Sequence, residues 1–367
     1  MISNPILTMN QRFLAVVCLW FIASVVDLSA FGWQSTGVEF PSVEKIDASI
    51  QKFMETTQAT AGSVTVSHAG KILYCRGYGH SDRRGRIETT SRTTMRLASC
   101  TKPLTAAAIH RLIASGQLTM ETRIFELLSI PPKKDLVDPR VKEITIGHLL
   151  KHQGGWDRQE TFDPMYRIAE IKKELNASRM KKRHIVQYMW ARPLQFEPGN
   201  GKSYSNFGYL LLGLAIEKVT GDSYVVATRD LLSDAFNKED LTLSSAVKRN
   251  RQSREVFYPT DNRLNMQLRD SASGLAATTE SLCRFMSVYW IDGMPRDPNV
   301  NRRRFFYQIG SHPNTTTTLM EQRLDGLNYA VMLNSRRNEV YTEDNDQFRQ
   351  EFNEVLNQVR DQLPIQD

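Results

Sequence analysis

The spacing of apolar residues along the chain predicts a helix and a β-hairpin near its start. Between residues 42 and 56 apolar side chains recur every three or four positions, which is typical of a helix that buries one face. Residues 63–66 and 72–75 are rich in β-branched and aromatic residues, as strands are, and Ala69 and Gly70 between them favour a tight turn. We therefore expect a helix followed by two paired strands.

Further along the chain the pattern becomes helical and then returns to strands. Helical spacing dominates from residue 99 to about residue 269, and strand-like segments follow at residues 307–311, 316–321 and 328–333. A closing amphipathic helix is marked by Phe348, Phe352, Val355, Leu356, Val359 and Leu363. Because strand patterns occur at both ends, the sequence predicts an α/β (α+β) domain with one sheet built from both ends of the chain and a helical insertion at approximately residues 115–270.

The composition agrees with one globular domain of enzyme size. The chain has 367 residues, of which 41% are hydrophobic and 24% charged, and no linker, repeat or low-complexity run divides it. The formal net charge of +7 suits an anionic envelope or acidic substrates. The basic runs at residues 181–184 and 302–304 lack a nucleic-acid-binding motif, so we interpret them as solvated faces and expect no nucleic-acid partner.

The first 32 residues have the pattern of a signal peptide. A basic residue precedes an apolar run of about fourteen residues, 13–26, which is short for a membrane span. Ala30 and Gly32 form a small-x-small cleavage site. We expect this leader to be removed and residues 33–367 to form an exported domain, periplasmic or extracellular. Membrane contact requires the leader to stay uncleaved, and that alternative stays open.

A serine and a lysine three residues apart are the first candidates for catalysis. Ser99 and Lys102 begin a predicted helix, where residues three apart share a face. A serine hydroxyl needs an adjacent base to act as a nucleophile, and a lysine provides one when burial lowers its pKa. The S-x-x-K spacing therefore indicates a Ser99 nucleophile with Lys102 as a base.

A second polar motif lies on a turn-rich loop ahead of an apolar segment. Tyr204 and Asn206 place a phenol and a carboxamide two residues apart, and residues 210–220 have the pattern of a buried helix that ends at Gly221. Packing of the tyrosine ring in a loop is the simpler interpretation of this motif taken alone.

The two motifs together resemble those of the penicillin-recognising serine hydrolases, which include class C β-lactamases, D,D-peptidases and related esterases. That superfamily carries S-x-x-K with a second and a third box, and Y-x-N is the second box of the class C branch. Further similar segments, at residues 71–79, 115–119, 143–156 and 273–282, extend the resemblance over most of the chain. It implies a β-lactamase/transpeptidase-like fold, with an antiparallel sheet flanked by terminal helices and the site in a cleft beside a helical domain.

The third box is where the sequence departs from this family. Relatives have K-T-G or H-x-G on an edge strand, and the matching positions here are Gln308, Ile309 and Gly310. The glycine fits a strand that approaches a ligand closely, but the cation and the hydroxyl are absent. A rival register would begin at His312, which restores a basic residue but loses the glycine and places Pro313 in the strand. We prefer the first register.

The resemblance implies acyl transfer through Ser99, with Lys102 and Tyr204 sharing the proton transfers. It also implies that Asn206 holds Lys102 or the substrate amide, and that the backbone N–H groups of Ser99 and Ser311 bind the oxyanion. No metal and no organic cofactor is required. Because the third box lacks a cation, we expect a preference for neutral esters over substrates that carry a carboxylate.

Other activities and classes stay open at this point. The ligand is a small-molecule ester, a peptidoglycan peptide or a β-lactam, so D-alanyl-D-alanine carboxypeptidase and β-lactamase are alternatives within the enzyme class. A catalytically weak peptidoglycan-binding envelope protein is the alternative that the altered third box supports. A membrane-anchored interaction protein rests only on the apolar run near the start of the chain.

Histidines and cysteines add no separate chemistry. His148 and His152 have the spacing of a metal pair, but no third ligand follows in a known pattern, so we interpret His152 as structural. Cys75, Cys100 and Cys283 are odd in number and predict buried thiols rather than a disulfide framework. The position of Cys100 beside the nucleophile leaves its accessibility open.

Overall fold

A computed structural model describes the chain at residues 36–37, 43–132, 136–245, 254–259, 264–297 and 305–365. The predicted leader, residues 1–32, and the basic run at residues 302–304 lie outside these ranges. Every described residue belongs to one compact unit, Ser35–Asp367. Within that described part, no helix combines the length and the apolar character needed to cross a membrane.

The first part of the chain supplies four strands and the start of the helical region. In order, the elements are β1 (Thr36–Gly37), α1 (Val43–Thr57), β2 (Ala61–His68), β3 (Lys71–Gly79), β4 (Met95–Arg96), a 3₁₀ turn (Ala98–Cys100) and α2 (Thr101–Ala114). The predicted N-terminal helix and hairpin are therefore confirmed, and both turn residues between β2 and β3 have positive φ, 47° at Ala69 and 81° at Gly70.

The middle of the chain is mostly helical, as its spacing predicts. Its elements are α3 (Ile124–Leu128), α4 (Ile146–Leu150), α5 (Ile168–Glu174), α6 (Lys182–Trp190), α7 (Asn206–Thr220), α8 (Tyr224–Leu231), β5 (Leu241–Leu243), a π-helical turn (Asp270–Gly274), β6 (Leu275–Ala277) and α9 (Thr279–Val288). Short 3₁₀ turns at Pro139–Glu143, Pro164–Tyr166 and Met266–Leu268 connect them. The helix α7 ends at Gly221, whose φ of 78° is the left-handed conformation that favours glycine.

The last part of the chain returns to the sheet and closes with a long helix. β7 (Phe306–His312), β8 (Thr316–Gln322) and β9 (Leu327–Leu333) precede α10 (Tyr341–Val359) and a final 3₁₀ turn (Arg360–Gln362). These bounds confirm the predicted strands to within a residue or two. The short strands β4, β6 and β5 form a separate three-stranded sheet, which the sequence did not predict because elements of two or three residues are too short to show periodicity.

The main sheet joins the two ends of the chain and places β7 at one edge. Its order is β1-β3-β2-β9-β8-β7, with antiparallel pairs throughout. Side chains alternate between the faces of a strand. Accordingly Ser63 of β2 contacts Thr279 of α9 at 2.8 Å, whereas Gly62 lies against Met54 of α1. The terminal helices pack together through the stacked rings of Phe53 and Phe348, 4.0 Å apart.

Candidate active site

Ser99 lies in a tight turn held against both sheets. The turn begins at Ala98, which has a φ of 45° although it is not glycine, and backbone strain of this kind is often found at functional sites. The N–H of Leu97 donates to the carbonyl of Leu275 on β6 at 2.8 Å. The hydroxyl of Thr318 on β8 donates to the carbonyl of Arg96 at 2.7 Å. These bonds hold Ser99 at the start of α2, facing the β7 edge of the main sheet.

Lys102 is buried with three oxygen atoms around its amine. Its Nζ lies 2.7 Å from Asn206 Oδ1, 2.7 Å from the Ala272 carbonyl and 3.4 Å from Ser99 Oγ. The residue is 2% exposed. Burial lowers the pKa of Lys102 to about 7, although the negative charge of Asp163 acts in the opposite direction. A large share of Lys102 is therefore neutral near pH 7 and able to accept a proton from Ser99.

Tyr204 is the second group in contact with the nucleophile. Its hydroxyl has the Ser99 side chain as a hydrogen-bond partner, and burial raises the pKa of the phenol well above its usual value. The Lys102 amine lies 4.7 Å from the centre of the tyrosine ring. At neutral pH the phenol keeps its proton in the free protein, so Tyr204 is better suited to donate a proton than to remove one.

The ring of His152 packs against the ring of Tyr204. The two rings lie 4.7 Å apart, and His152 Nδ1 accepts from the N–H of Ser205 at 3.2 Å. Burial and then the nearby Lys102 charge lower the pKa of His152 to about 3, so its ring is neutral at working pH. Within the described ranges, no group of histidine, cysteine, aspartate and glutamate side chains is arranged to hold a metal ion.

Gly310 brings β7 against the nucleophile turn. A Cβ atom at this position would lie 2.0 Å from the carbonyl oxygen of Leu97 and 3.0 Å from the N of Cys100. His312, in contrast, is 1% exposed, and its Nε2 contacts the carbonyl of Ser273 at 3.0 Å. Because only Gly310 permits the close approach, this placement favours the first of the two registers considered for the third box.

Gln308 and Ser311, on either side of Gly310 in β7, have uncharged side chains. Gln308 uses its Nε2 to donate to the carbonyl of Ile309 at 2.9 Å. Ser311 accepts from Arg336 Nη1 at 2.5 Å, and the guanidinium also lies 4.2 Å from the ring of Tyr341. The sequence reasoning missed Arg336, which follows β9 and reaches β7 only through the fold.

Asp163 is a second residue that the sequence reasoning missed. Its Oδ2 accepts from Asn206 Nδ2 at 2.5 Å, and its Oδ1 accepts from the N–H of Met165 at 2.9 Å. The Asp-Pro pair at residues 163 and 164 is a typical start of a helical turn. That signal predicts a cap, but it does not reveal the contact with Asn206, 43 residues away.

The accessibility of Cys100 is settled by its environment. The residue is 0% exposed, its Sγ lies 3.4 Å from the carbonyl of Gln308, and burial raises its pKa strongly. Cys283 is also buried, Cys75 is partly buried, and all three are free thiols. Cys100 therefore packs between the nucleophile turn and β7 and does not offer a reactive thiolate.

A family profile described as Beta-lactamase matches residues 46–343, which is most of the chain. The chain belongs to the β-lactamase family. The family is one of serine hydrolases. One relative named below is an esterase, and solved structures that share the fold include an amidase and a carboxypeptidase. The family fold, with an antiparallel sheet flanked by terminal helices beside a helical region, is thereby confirmed.

Curated relatives match part of the chain at moderate identity. A probable fimbrial assembly protein FimD, serogroup H1, from Dichelobacter nodosus is 32% identical over 179 residues, covering 49% of this chain and 43% of that protein. Esterase EstB from Burkholderia gladioli is 28% identical over 228 residues, covering 61% of this chain and 56% of that protein. The matched part thus spans about half the length of these relatives.

Solved structures share the fold over most of the chain. The D-amino acid amidase from Ochrobactrum anthropi SV3 superimposes with a TM-score of 0.65 at 16% identity, covering 87% of this chain and 99% of the amidase. A β-lactamase/D-alanine carboxypeptidase from Yersinia pestis gives a TM-score of 0.63 at 16% identity, covering 86% and 98%. At such identities these structures establish the fold and leave the substrate to be argued from the site.

Proposed function

We propose that this protein hydrolyses esters or amides through an acyl-enzyme on Ser99. The observation that carries the proposal is the buried Lys102 amine, which lies 3.4 Å from Ser99 Oγ with a pKa lowered to about 7. Neutral Lys102 takes the proton from Ser99 as Oγ forms a bond to the acyl carbon. Tyr204 donates a proton to the leaving group as its bond to that carbon breaks, and the Lys102 proton replaces it.

Water then completes the turnover by attacking the acyl-serine ester. The water oxygen bonds to the acyl carbon as a water proton passes to the Lys102 and Tyr204 pair. The bond from that carbon to Ser99 Oγ then breaks, and Oγ takes a proton from the pair. We assign oxyanion binding to the backbone N–H groups of Ser99 and Ser311. The close approach of β7 at Gly310 supports this assignment, because it brings the two segments together.

The third box supports neutral esters as the preferred substrates. Gln308 and Ile309 replace the cation and the hydroxyl with which relatives bind a substrate carboxylate. A hydrogen bond to a charged group contributes about 1.5–3 kcal/mol, so loss of two such bonds weakens recognition of carboxylate substrates by several decades. Small neutral acyl esters do not depend on those bonds.

Arg336 favours a second candidate, in which the substrate does carry a carboxylate. Its guanidinium donates to Ser311 on β7, directly after the third-box glycine. The salt bridges within the described ranges pair no carboxylate with Arg336. This arrangement supports a β-lactam or a D-alanyl-D-alanine peptide as the substrate if Arg336 replaces the missing family cation.

Covalent labelling tests the acyl-enzyme. A serine-reactive fluorophosphonate probe should label the wild-type protein, and mass spectrometry should place the adduct on Ser99. Ser99→Ala should abolish labelling, whereas Ser115→Ala, at the other end of α2, should leave it unchanged. An adduct on any other residue, or equal labelling of Ser99→Ala, would show that Ser99 is not the nucleophile.

A comparison of three substrates tests the preference. One preparation is assayed for kcat/KM on a p-nitrophenyl ester, a cephalosporin and an acyl-D-alanyl-D-alanine peptide. The neutral-ester proposal predicts that the p-nitrophenyl ester is the best substrate. If kcat/KM for either carboxylate substrate exceeds that for the ester more than tenfold, the carboxylate-substrate candidate replaces the neutral-ester proposal. Binding of peptidoglycan peptides without turnover of any substrate would instead support the catalytically weak envelope protein.

We also propose that the protein is exported to the periplasm or beyond, with residues 33–367 as the mature hydrolase domain. The support is the leader-like pattern of residues 1–32. Cell fractionation and N-terminal sequencing of the exported product test this. A mature chain that begins near Trp33 is expected, whereas a full-length chain in the membrane fraction would indicate an uncleaved anchor.

A further inference from the structure

The orientation of the Asn206 amide decides how Lys102 is bonded. An ammonium group donates hydrogen bonds only, a carboxylate accepts them only, and an amide does both at different atoms. Asn206 stands between Lys102 and Asp163, with Oδ1 2.7 Å from the amine and Nδ2 2.5 Å from the carboxylate. Only this orientation satisfies both neighbours, so Asp163 holds the amide oxygen toward Lys102.

That orientation directs the lone pair of Lys102. A neutral amine has two N–H bonds and one lone pair. The Asn206 Oδ1 atom and the Ala272 carbonyl, each 2.7 Å from Nζ, accept the two N–H bonds. The third neighbour is Ser99 Oγ at 3.4 Å, and the lone pair therefore faces the hydroxyl whose proton it must take. If the amide flipped, its NH₂ would compete for the lone pair.

Asp163 is itself held in place at both carboxylate oxygens. One accepts from Asn206 and the other from the N–H of Met165. The carbonyl of Met165 in turn accepts from Arg269 Nη2 at 2.6 Å. The loop that carries Asp163 is thus tied to a guanidinium that is 4% exposed.

We propose that Asp163 is a positioning residue that acts on Lys102 through Asn206 and sets the pH at which Lys102 becomes the base. This inference rests on the proposed role of Lys102. The negative charge of Asp163 favours the protonated amine, while its hydrogen bond keeps the amide in the orientation that frees the lone pair for Ser99. Removal of the charge therefore makes Lys102 easier to deprotonate.

The other groups around Lys102 do not change their charge state near pH 7. The charged or titratable side chains that interact with it are Asp163, Cys100, Arg158, Arg269, His152 and His312. Burial keeps Cys100 protonated and both histidines neutral near pH 7. Tyr204 and Tyr209 present their rings to the amine. Asp163 is the group in this set that carries a negative charge at working pH.

The pH dependence of kcat/KM for a p-nitrophenyl ester tests the proposal. Asp163→Asn should move the acid limb to lower pH by about 0.5–1 unit, less than the 1–3 units typical of a direct ion pair. At pH 6 the variant should keep about three- to fivefold more of its alkaline rate than the wild type does. Asp163→Glu, which restores the charge, should return the limb to its wild-type position.

Asp157→Asn is the matched control, because it removes the same charge from the same loop. Asp157 accepts from Ser203 and from the N–H of Gln159 and has no contact with Asn206 among the hydrogen bonds of the described part of the chain. The acid limb of Asp157→Asn should stay within about 0.2 unit of wild type, because Asp157 is not among the charges that act most strongly on Lys102.

Three results would overturn the proposal. A lower rate of Asp163→Asn with an unmoved acid limb would mean that Asp163 only holds its loop. Equal shifts for Asp163→Asn and Asp157→Asn would mean that general electrostatics, not this contact, is responsible. Absence of wild-type labelling at Ser99 would overturn both this inference and the proposed function, whereas labelling at Ser99 with an unmoved limb would overturn this inference alone.

Discussion

The helical elements around Lys102 and the strand β7 lie on two sides of Ser99 and present different groups to it. The helical side surrounds Lys102 with hydrogen-bond acceptors, and one of these, the partly buried Asn206, is bonded in turn to the partly buried Asp163. The β7 side carries no titratable side chain at Gln308, Ile309 or Gly310, and it approaches Ser99 through backbone. A site of this kind can keep its proton-transfer groups while its recognition groups change, because the two sets lie on separate elements.

The difference also bears on where the proposed function places substrate specificity. In the proposed function, the helical side acts on the nucleophile Ser99, which reacts with every substrate, so a change there should alter the rate for all substrates alike. In the proposed function, the β7 side faces the part of the substrate that differs between a neutral ester and a carboxylate. Arg336, which donates to Ser311, belongs to that second side although it follows β9 in the chain. Substitutions on the two sides should therefore have separable effects.

Lys102→Ala should have the largest effect. It removes the base and leaves Ser99 without a group to accept its proton, so acylation of any ester should slow by about 10²–10⁴-fold. The measurement is the rate of fluorophosphonate labelling at Ser99. Lys151→Ala, at an exposed lysine beyond α4, is the control. If Lys102→Ala were labelled at the wild-type rate at neutral pH, Lys102 would not be the base that activates Ser99.

Tyr204→Phe keeps the ring that packs on His152 and removes only the hydroxyl. Turnover should slow roughly a hundredfold, the lower part of the range for a general acid or base, with an unchanged thermal midpoint. The assay uses a slowly reacting ester, so that chemistry limits the rate. Near-normal turnover under those conditions would leave Tyr204 with a packing role alone.

Gly310→Ala tests the backbone approach of β7. The added Cβ would lie 2.0 Å from the Leu97 carbonyl oxygen, so β7 or the nucleophile turn must move, at a cost of about 1–3 kcal/mol in stability. Displacement by about 1 Å near the reacting atoms slows the reaction about a hundredfold. Gly208→Ala is the matched control, because its nearest atoms lie at 3.4 Å. Equal behaviour of the two variants would contradict the close contact.

Arg336→Ala should have the smallest and most selective effect. If Arg336 binds a substrate carboxylate, kcat/KM for a cephalosporin should fall by about tenfold or more, whereas kcat/KM for a neutral ester changes less than threefold. Arg337→Ala is the control, because Arg337 pairs with Asp344 away from β7. Equal losses for both kinds of substrate would mean that Arg336 serves only to hold Ser311.

The sequence by itself determined the elements and the chemistry that depends on short spacing. The helix before the first hairpin, the three late strands and the closing helix follow from periodicity, and Ser99 with Lys102 and Tyr204 with Asn206 follow from residues two or three apart. Local spacing suffices in these cases because neighbours in the chain are neighbours in space whatever the rest of the molecule does.

Only the tertiary structure decided which distant residues complete the site. Asp163 meets Asn206 across 43 residues, and Arg336 meets Ser311 across 25. The first contact depends on how the loop that carries Asp163 packs on α7, and the second on how the segment after β9 reaches β7. Such packing leaves no periodic signal in the chain. The burial that lowers the pKa of Lys102 has the same origin, since the low dielectric around its amine is supplied by helices and turns from separate parts of the sequence.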